Sequence, residues 1–175
     1  MEVMMRLSIS PTDICTAQQK GVRIVRGKPY FYTKGVVERS NKLIREAMVA
    51  ELRQQGVELV TVRELKHGKW CERTIVKDKI DRGKPVTVSI AYVFPYTSST
   101  SKAEKLNGWC WMLERPDVDN LTKSVLDQLT EIGIWADDSQ LIDLRVVKFR
   151  AERPLVQVKV STESDDAVPP CIVMR

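Results

Sequence analysis

Apolar residues recur along this chain in two rhythms, and each predicts a different element. Val86, Val88, Ile90, Tyr92 and Phe94 alternate with Thr87, Ser89, Ala91 and Val93, the two-residue period of a half-buried strand. Val118, Leu121, Val125, Leu129 and Ile132 fall at helical spacing and Gly133 follows them. That predicts a helix over 120–132 with a glycine stop and with Asp119 or Asn120 as its cap. Val37, Ile44, Ala47, Met48 and Leu52 predict another helix over 36–55, closed by Gly56.

The remaining stretches are less regular. Residues 1–9 read as a short strand, and 10–29, punctuated by Pro11, Gly21, Gly27 and Pro29, as a long loop made basic by Lys20, Arg23, Arg26 and Lys28. Residues 57–62 favour β-structure, whereas 63–83 mix charges with little period and predict an excursion or an irregular hairpin. The Ser-, Thr- and Lys-rich stretch 95–108 predicts a mobile loop, with 109–113 returning beside the preceding strand as a hairpin. Residues 140–149 and 155–160 predict two strands joined by a turn near Arg153-Pro154, with Val156, Val158 and Val160 facing the core. The expected organisation is one domain over 1–160 and a frayed tail over 161–175, where Asp165-Asp166 and Pro169-Pro170 offer little to pack.

Composition narrows the class. With 175 residues, 43% hydrophobic and 29% charged, the chain can bury its own core and is neither fibrous nor disordered. No apolar run approaches the ~20 residues that span a bilayer, and Glu2 and Arg6 flank too short a stretch for a signal peptide, so the expected location is cytoplasmic, with no membrane partner. Cys15, Cys71, Cys110 and Cys171 are scattered, and the lone His67 brings no second imidazole, which argues against zinc. A net charge of +5 favours a polyanionic partner, since Lys and Arg bind phosphates with release of counterions.

Chemistry concentrates in Arg115-Pro116-Asp117-Val118-Asp119-Asn120, with Lys123 just beyond and Asp137-Asp138 further on. Pro116 keeps Asp117 out of a helix interior, and in an extended segment Asp117 and Asp119 project to one side. Two such carboxylates repel unless a cation bridges them, and hard oxygen donors suit magnesium or manganese. Asp119, Lys123 and Asp127 follow at four-residue intervals on one helical face, which puts Lys123 within reach of a phosphate. A helix of thirteen residues is ~20 Å long, so spacing alone does not bring Asp138 to Asp119. The competing reading is a solvated face whose acids merely favour a helix start.

The run from Arg115 through Lys148, with Asp117-Val-Asp119-Asn120, Lys123, Asp127-x-Leu129, Gly133-Ile-Trp135, Asp137-Asp138-Ser-Gln140 and Val146-Val147-Lys148, resembles the RusA family of Holliday junction resolvases. Residues 27–34 and the helix after them resemble the family's amino-terminal part more loosely, and 57–114 match poorly. The resemblance implies an α+β fold of two layers, a small mixed β-sheet with two helices on one face. It implies a magnesium-dependent endonuclease, with manganese as the other candidate ion, acting as a homodimer on branched DNA, the four-way junction of recombination and repair. By the same resemblance Asp117, Asp119 and Asp138 hold the metal, Lys123 is the catalytic lysine, and Arg115, Asn120, Lys123 and Lys148 contact DNA. Two departures stand out: Pro116 directly before the first acid, where the family often has a basic residue, and an opening reduced to Ser10-Pro11-Thr12, so that Lys20, Arg23 or Arg26 would take over its DNA contacts.

Two rival functions fit parts of the pattern. A D-x-D phosphatase or phosphotransferase would place its nucleophilic Asp after the strand 109–113, but Glu114-Arg115-Pro116 intervenes and no series of alternating strands and helices follows. A DNA-binding protein of the same fold without cleavage would not need all three acids and Lys123. Trp109, Trp111 and Trp135 are candidates to stack on unpaired bases, against the commoner role of Trp in cores. Arg145 and Lys148 are candidate phosphate contacts on a strand.

Overall fold

The computed structural model describes residues 2–15, 20–25, 28–33, 35–66 and 68–162. In chain order these form β1 (Glu2–Leu7), a 3-10 turn (Pro11–Asp13), β2 (Lys20–Val25), β3 (Lys28–Thr33), α1 (Gly35–Gln54), β4 (Leu59–Lys66) and β5 (Lys69–Val76). There follow β6 (Val86–Pro95), α2 (Lys102–Leu106), β7 (Trp109–Trp111), α3 (Val118–Glu131), a second 3-10 turn (Asp138–Gln140), β8 (Leu141–Ala151) and β9 (Leu155–Thr162). The tail from residue 163, Arg26 and His67 lie outside the described residues.

The main sheet runs β1-β9-β6-β8-β7, with β6 and β8 parallel and the other neighbours antiparallel. β6 takes the centre because Val86, Val88, Ile90, Tyr92 and Phe94 are all buried on one face. Burial pushes the Tyr92 phenol well above the ordinary tyrosine range, so this core hydroxyl stays neutral. A parallel pair needs a crossover, and α3 lies within the one between β6 and β8. The core joins these strands to Ile44, Met48 and Leu52 of α1 and to Leu121, Val125 and Leu129 of α3, so both long helices cover the same face of the sheet. The α+β reading holds. Both helices end as their glycines predict: Val57 N–H donates to Leu52 O and Ile134 N–H to Leu129 O across Gly56 and Gly133, each at positive φ.

Ser40, Ser124 and Gln128, buried where α1 and α3 pack, have partners. Ser40 Oγ accepts from Cys15 N–H at 2.9 Å and Ser124 Oγ donates to Cys15 O at 2.9 Å, so the chain after the first turn is wedged between the helices. Arg45 Nε donates to Gln128 Oε1 at 3.2 Å across the same interface.

Four expectations need correction. The basic stretch 10–29 is not one loop, because 11–13 make a 3-10 turn and 20–25 pair with 28–33 as a hairpin. The region 63–83 carries a regular hairpin, β4 on β5 in continuous register from Leu59↔Val76 to Lys66↔Lys69. Of its residues with a described burial only Val76 is fully buried, so no apolar alternation marks it. The stretch 95–108 contains α2, started by a capping box between Ser101 and Glu104. Finally, β7 pairs with β8 and not β6, so 86–95 and 109–111 do not form a hairpin. Among the described residues no helix is long and apolar enough to cross a membrane.

Candidate active site

α3 begins at Val118, the first residue of its apolar stripe and two residues before the helix expected over 120–132. Asp117 is the N-cap, in extended backbone, but its side chain makes no capping hydrogen bond. Asp119 therefore sits in the first helical turn, and Asp117 and Asp119 do not share the extended segment that would have aligned them. The approach to Asp117 is braced from β8. Lys148 Nζ donates to Glu114 O at 2.6 Å and to Pro116 O at 2.9 Å, and Arg150 donates to Glu114 Oε2 at 3.1 Å and to Pro95 O at 2.8 Å. The Arg150 guanidinium holds the Glu114 carboxyl below its usual range. Lys148, expected on DNA, thus has two of its N–H bonds committed to the backbone leading into Asp117.

After α3 the chain turns through Trp135 into Asp137-Asp138, and neighbouring elements fix that turn. Arg73 of β5 donates to Glu131 O and Oε2 at the helix C-terminus, where a cation is favourable. Val76 N–H donates to Ile132 O and Ile80 N–H to Ile134 O. Gln140, buried, uses both ends of its amide: Oε1 accepts from Ala136 and Asp137 N–H at 2.8 and 3.0 Å, and Nε2 donates to Asp81 O and Lys84 O at 2.7 and 3.0 Å. Residues 76–84, uninformative in sequence, thus support the segment that carries Asp138.

Removing that amide strands buried donors and acceptors on two chain segments at once. Gln140→Leu is expected to lower unfolding stability by about 2–4 kcal/mol, read as a lower urea midpoint with an unchanged slope.

The adjacent aspartates have different tasks. Asp137 turns back on its own segment as the cap of the second 3-10 turn, accepting from Ser139 N–H and Oγ, which holds its carboxyl below the ordinary range, helped by Arg82. Asp138 instead faces a cavity of about 790 Å³ that runs along α3. The same cavity is lined by Asp119, Thr122, Lys123, Asp127 and Trp135, with Leu144 and Val146 of β8 opposite. Asp119, Lys123 and Asp127 thus share one face as their spacing predicts. Asp127, which sequence reading left without a role, is held above the usual carboxylate range by partial burial; Lys123 opposes this and Asp138 adds to it.

Asp119 and Asp138 therefore line one cavity from opposite ends of α3, while Asp117 stands outside its lining. Asp119 and Asp127 are two helical turns apart, about 12 Å along the axis, and among the described residues no three acidic side chains close around a single ion. The donor chemistry nonetheless fits magnesium, which is commonly held by one or two carboxylates with waters and substrate phosphates completing its shell. Of the other expected DNA contacts, Arg115 is exposed, Lys123 is exposed in the cavity wall, and Asn120 is half-buried with an Oδ1 that accepts no hydrogen bond.

Trp135 is 2% exposed and cannot stack on bases. Trp109 and Trp111 are exposed, edge to face at 4.8 Å, but they lie on the sheet face away from the cavity, as does Arg145. A mixed sheet with one parallel pair also removes the D-x-D phosphatase alternative, which requires a parallel series.

The family model for endodeoxyribonuclease RusA matches residues 65–161, more than half of the chain. The chain belongs to the RusA family. The region matched by the RusA model holds the cavity, the three aspartates that line it, Asp119, Asp127 and Asp138, and the braces from β5 and β8. A crossover junction endodeoxyribonuclease rusA of Lactococcus phage r1t is 23% identical over 146 residues, 83% of this chain and 88% of that protein. Over 35 residues, 20% of this chain and 29% of the relative, identity reaches 56% with the crossover junction endodeoxyribonuclease RusA of Escherichia coli strain K12. A Bacillus subtilis strain 168 protein, YqaN, is 37% identical over 81 residues, 43% of this chain and 56% of that protein.

Proposed function

We propose that this chain is a magnesium-dependent endonuclease that resolves four-way DNA junctions by paired phosphodiester hydrolysis, acting as a cytoplasmic homodimer in recombination and repair. The observation that carries the reading is the cavity along α3, where Asp119, Asp127 and Asp138 face one space with Lys123, in a chain of the RusA family. Asp119 and Asp138, with Asp117 at the helix start, are the metal-holding residues of this reading, and manganese is an alternative ion. A bound ion there supplies Lewis-acid polarisation of the scissile phosphate. Lys123 neutralises charge developing on that phosphate, and Arg115 and Asn120 engage the DNA backbone beside it. A two-fold dimer presents two such cavities to the two equivalent strands that a four-way junction offers together.

The test is incubation of the full chain with a labelled four-way junction, with and without magnesium. Binding in both conditions and cleavage only with magnesium is expected. Binding without cleavage under any divalent ion would mark a DNA-binding protein that keeps the fold without the reaction. Sedimentation of the free protein is expected to give a dimer, and a monomer would remove the basis for paired cutting.

A further inference from the structure

Asp138 is exposed, and an exposed aspartate ordinarily samples several rotamers. Here one of its oxygens is held. The indole N–H of Trp135 lies 3.2 Å from Asp138 Oδ1 and 2.9 Å from Thr130 Oγ1, and the Thr130 hydroxyl itself donates to the same Oδ1. Both donors come from rigid places. Trp135 is locked in the core, and Thr130 belongs to the last turn of α3, its hydroxyl also 3.2 Å from Leu126 O. Since the hydroxyl has one proton, donating it to Asp138 leaves its lone pairs to accept from the indole. The result is a short chain from Trp135 through Thr130 to Oδ1, with a direct indole contact as well.

We propose that Thr130 and Trp135 are positioning residues that fix the Asp138 carboxylate in the rotamer that presents its other oxygen to the cavity. Neither residue touches substrate; each acts through Asp138. This rests on the reading of Asp138 as a metal-holding carboxylate. The physical reason is pre-organisation: a ligand already oriented by fixed donors loses little freedom when a cation arrives, and such supporting hydrogen bonds commonly change metal affinity 10–100-fold. Trp135 thereby acquires a role that neither base stacking nor core filling requires, because core filling alone makes no use of the N–H.

The experiment titrates manganese into the metal-free full chain by calorimetry, comparing wild type with Thr130→Val, Thr130→Ser, Trp135→Phe and Asp138→Asn, with thermal unfolding recorded for each. Thr130→Val keeps the shape and removes the hydroxyl. It is expected to weaken manganese binding roughly 10–100-fold at unchanged unfolding temperature, and its cleavage should recover at saturating metal. Thr130→Ser restores the donor and is expected to bind within about threefold of wild type, well short of that loss. Trp135→Phe should weaken binding in the same direction, and if it fails to fold the threonine pair still decides. Wild-type affinity in Thr130→Val, or equal weakening in Thr130→Ser, would overturn the positioning role. Equal manganese binding by wild type and Asp138→Asn would overturn the reading of Asp138 beneath it.

Discussion

Asp138→Asn is expected to lower junction cleavage by roughly three orders of magnitude, the scale of losing a principal electrostatic contributor at a transition state, while leaving junction binding intact or tighter. The substitution keeps the side chain's size and removes one negative charge from a cavity that also holds Asp119 and Asp127. A phosphate approaching that cavity then meets less repulsion, but the hard anionic donor for a divalent ion is gone. Binding by mobility shift and single-turnover cleavage in magnesium separate the two effects. Cleavage near the wild-type rate at matched stability would remove Asp138 from the mechanism. Asp117→Asn is the informative companion: Asp117 lies outside the cavity lining, its variant is expected to lose cleavage as Asp138→Asn does, and retained cleavage would remove Asp117 from the metal-holding set.

Lys123→Ala is expected to cost cleavage about 100-fold and binding only a few-fold. Lys123 is exposed on α3 between Asp119 and Asp127, so its ammonium enters the cavity flanked by acids. One phosphate contact among many adds little to affinity, and its loss should flatten the salt dependence of binding by about one counterion. At the scissile phosphate the same charge acts where negative charge accumulates. Proportional losses of binding and cleavage would make Lys123 an anchoring charge and no more.

What the sequence makes legible follows the reach of its physical signals. β6 and both long helices bury one face each, so their periods are written in the chain; the β4–β5 hairpin buries little of β5 and leaves no period to read. The start of α3 is misjudged because Asp117, Asp119 and Asn120 are all residue types that cap helices and Asp117 caps by position without a side-chain hydrogen bond. The candidate site divides the same way. Asp119, Lys123 and Asp127 share a face by local spacing, which a helix enforces. Asp138 joins them through non-local bonds: Gln140 to Asp81 and Lys84, and Val76 and Ile80 to the end of α3. Such pairings, between residues more than fifty positions apart, carry no local signature. The separate tasks of Asp137 and Asp138 are equally unreadable from an Asp-Asp pair, since Ser139 and Thr130 decide them.

On this proposal the cavity serves junction resolution and not general DNA hydrolysis. Strand-by-strand product mapping on a four-way junction, a Y structure and a linear duplex of the same sequence, at equal enzyme and magnesium, tests it most directly. Paired nicks placed symmetrically on opposed strands of the junction, with the other two substrates largely intact, are the expected result; equal cutting of the linear duplex, or unpaired nicks at unrelated positions, would contradict it.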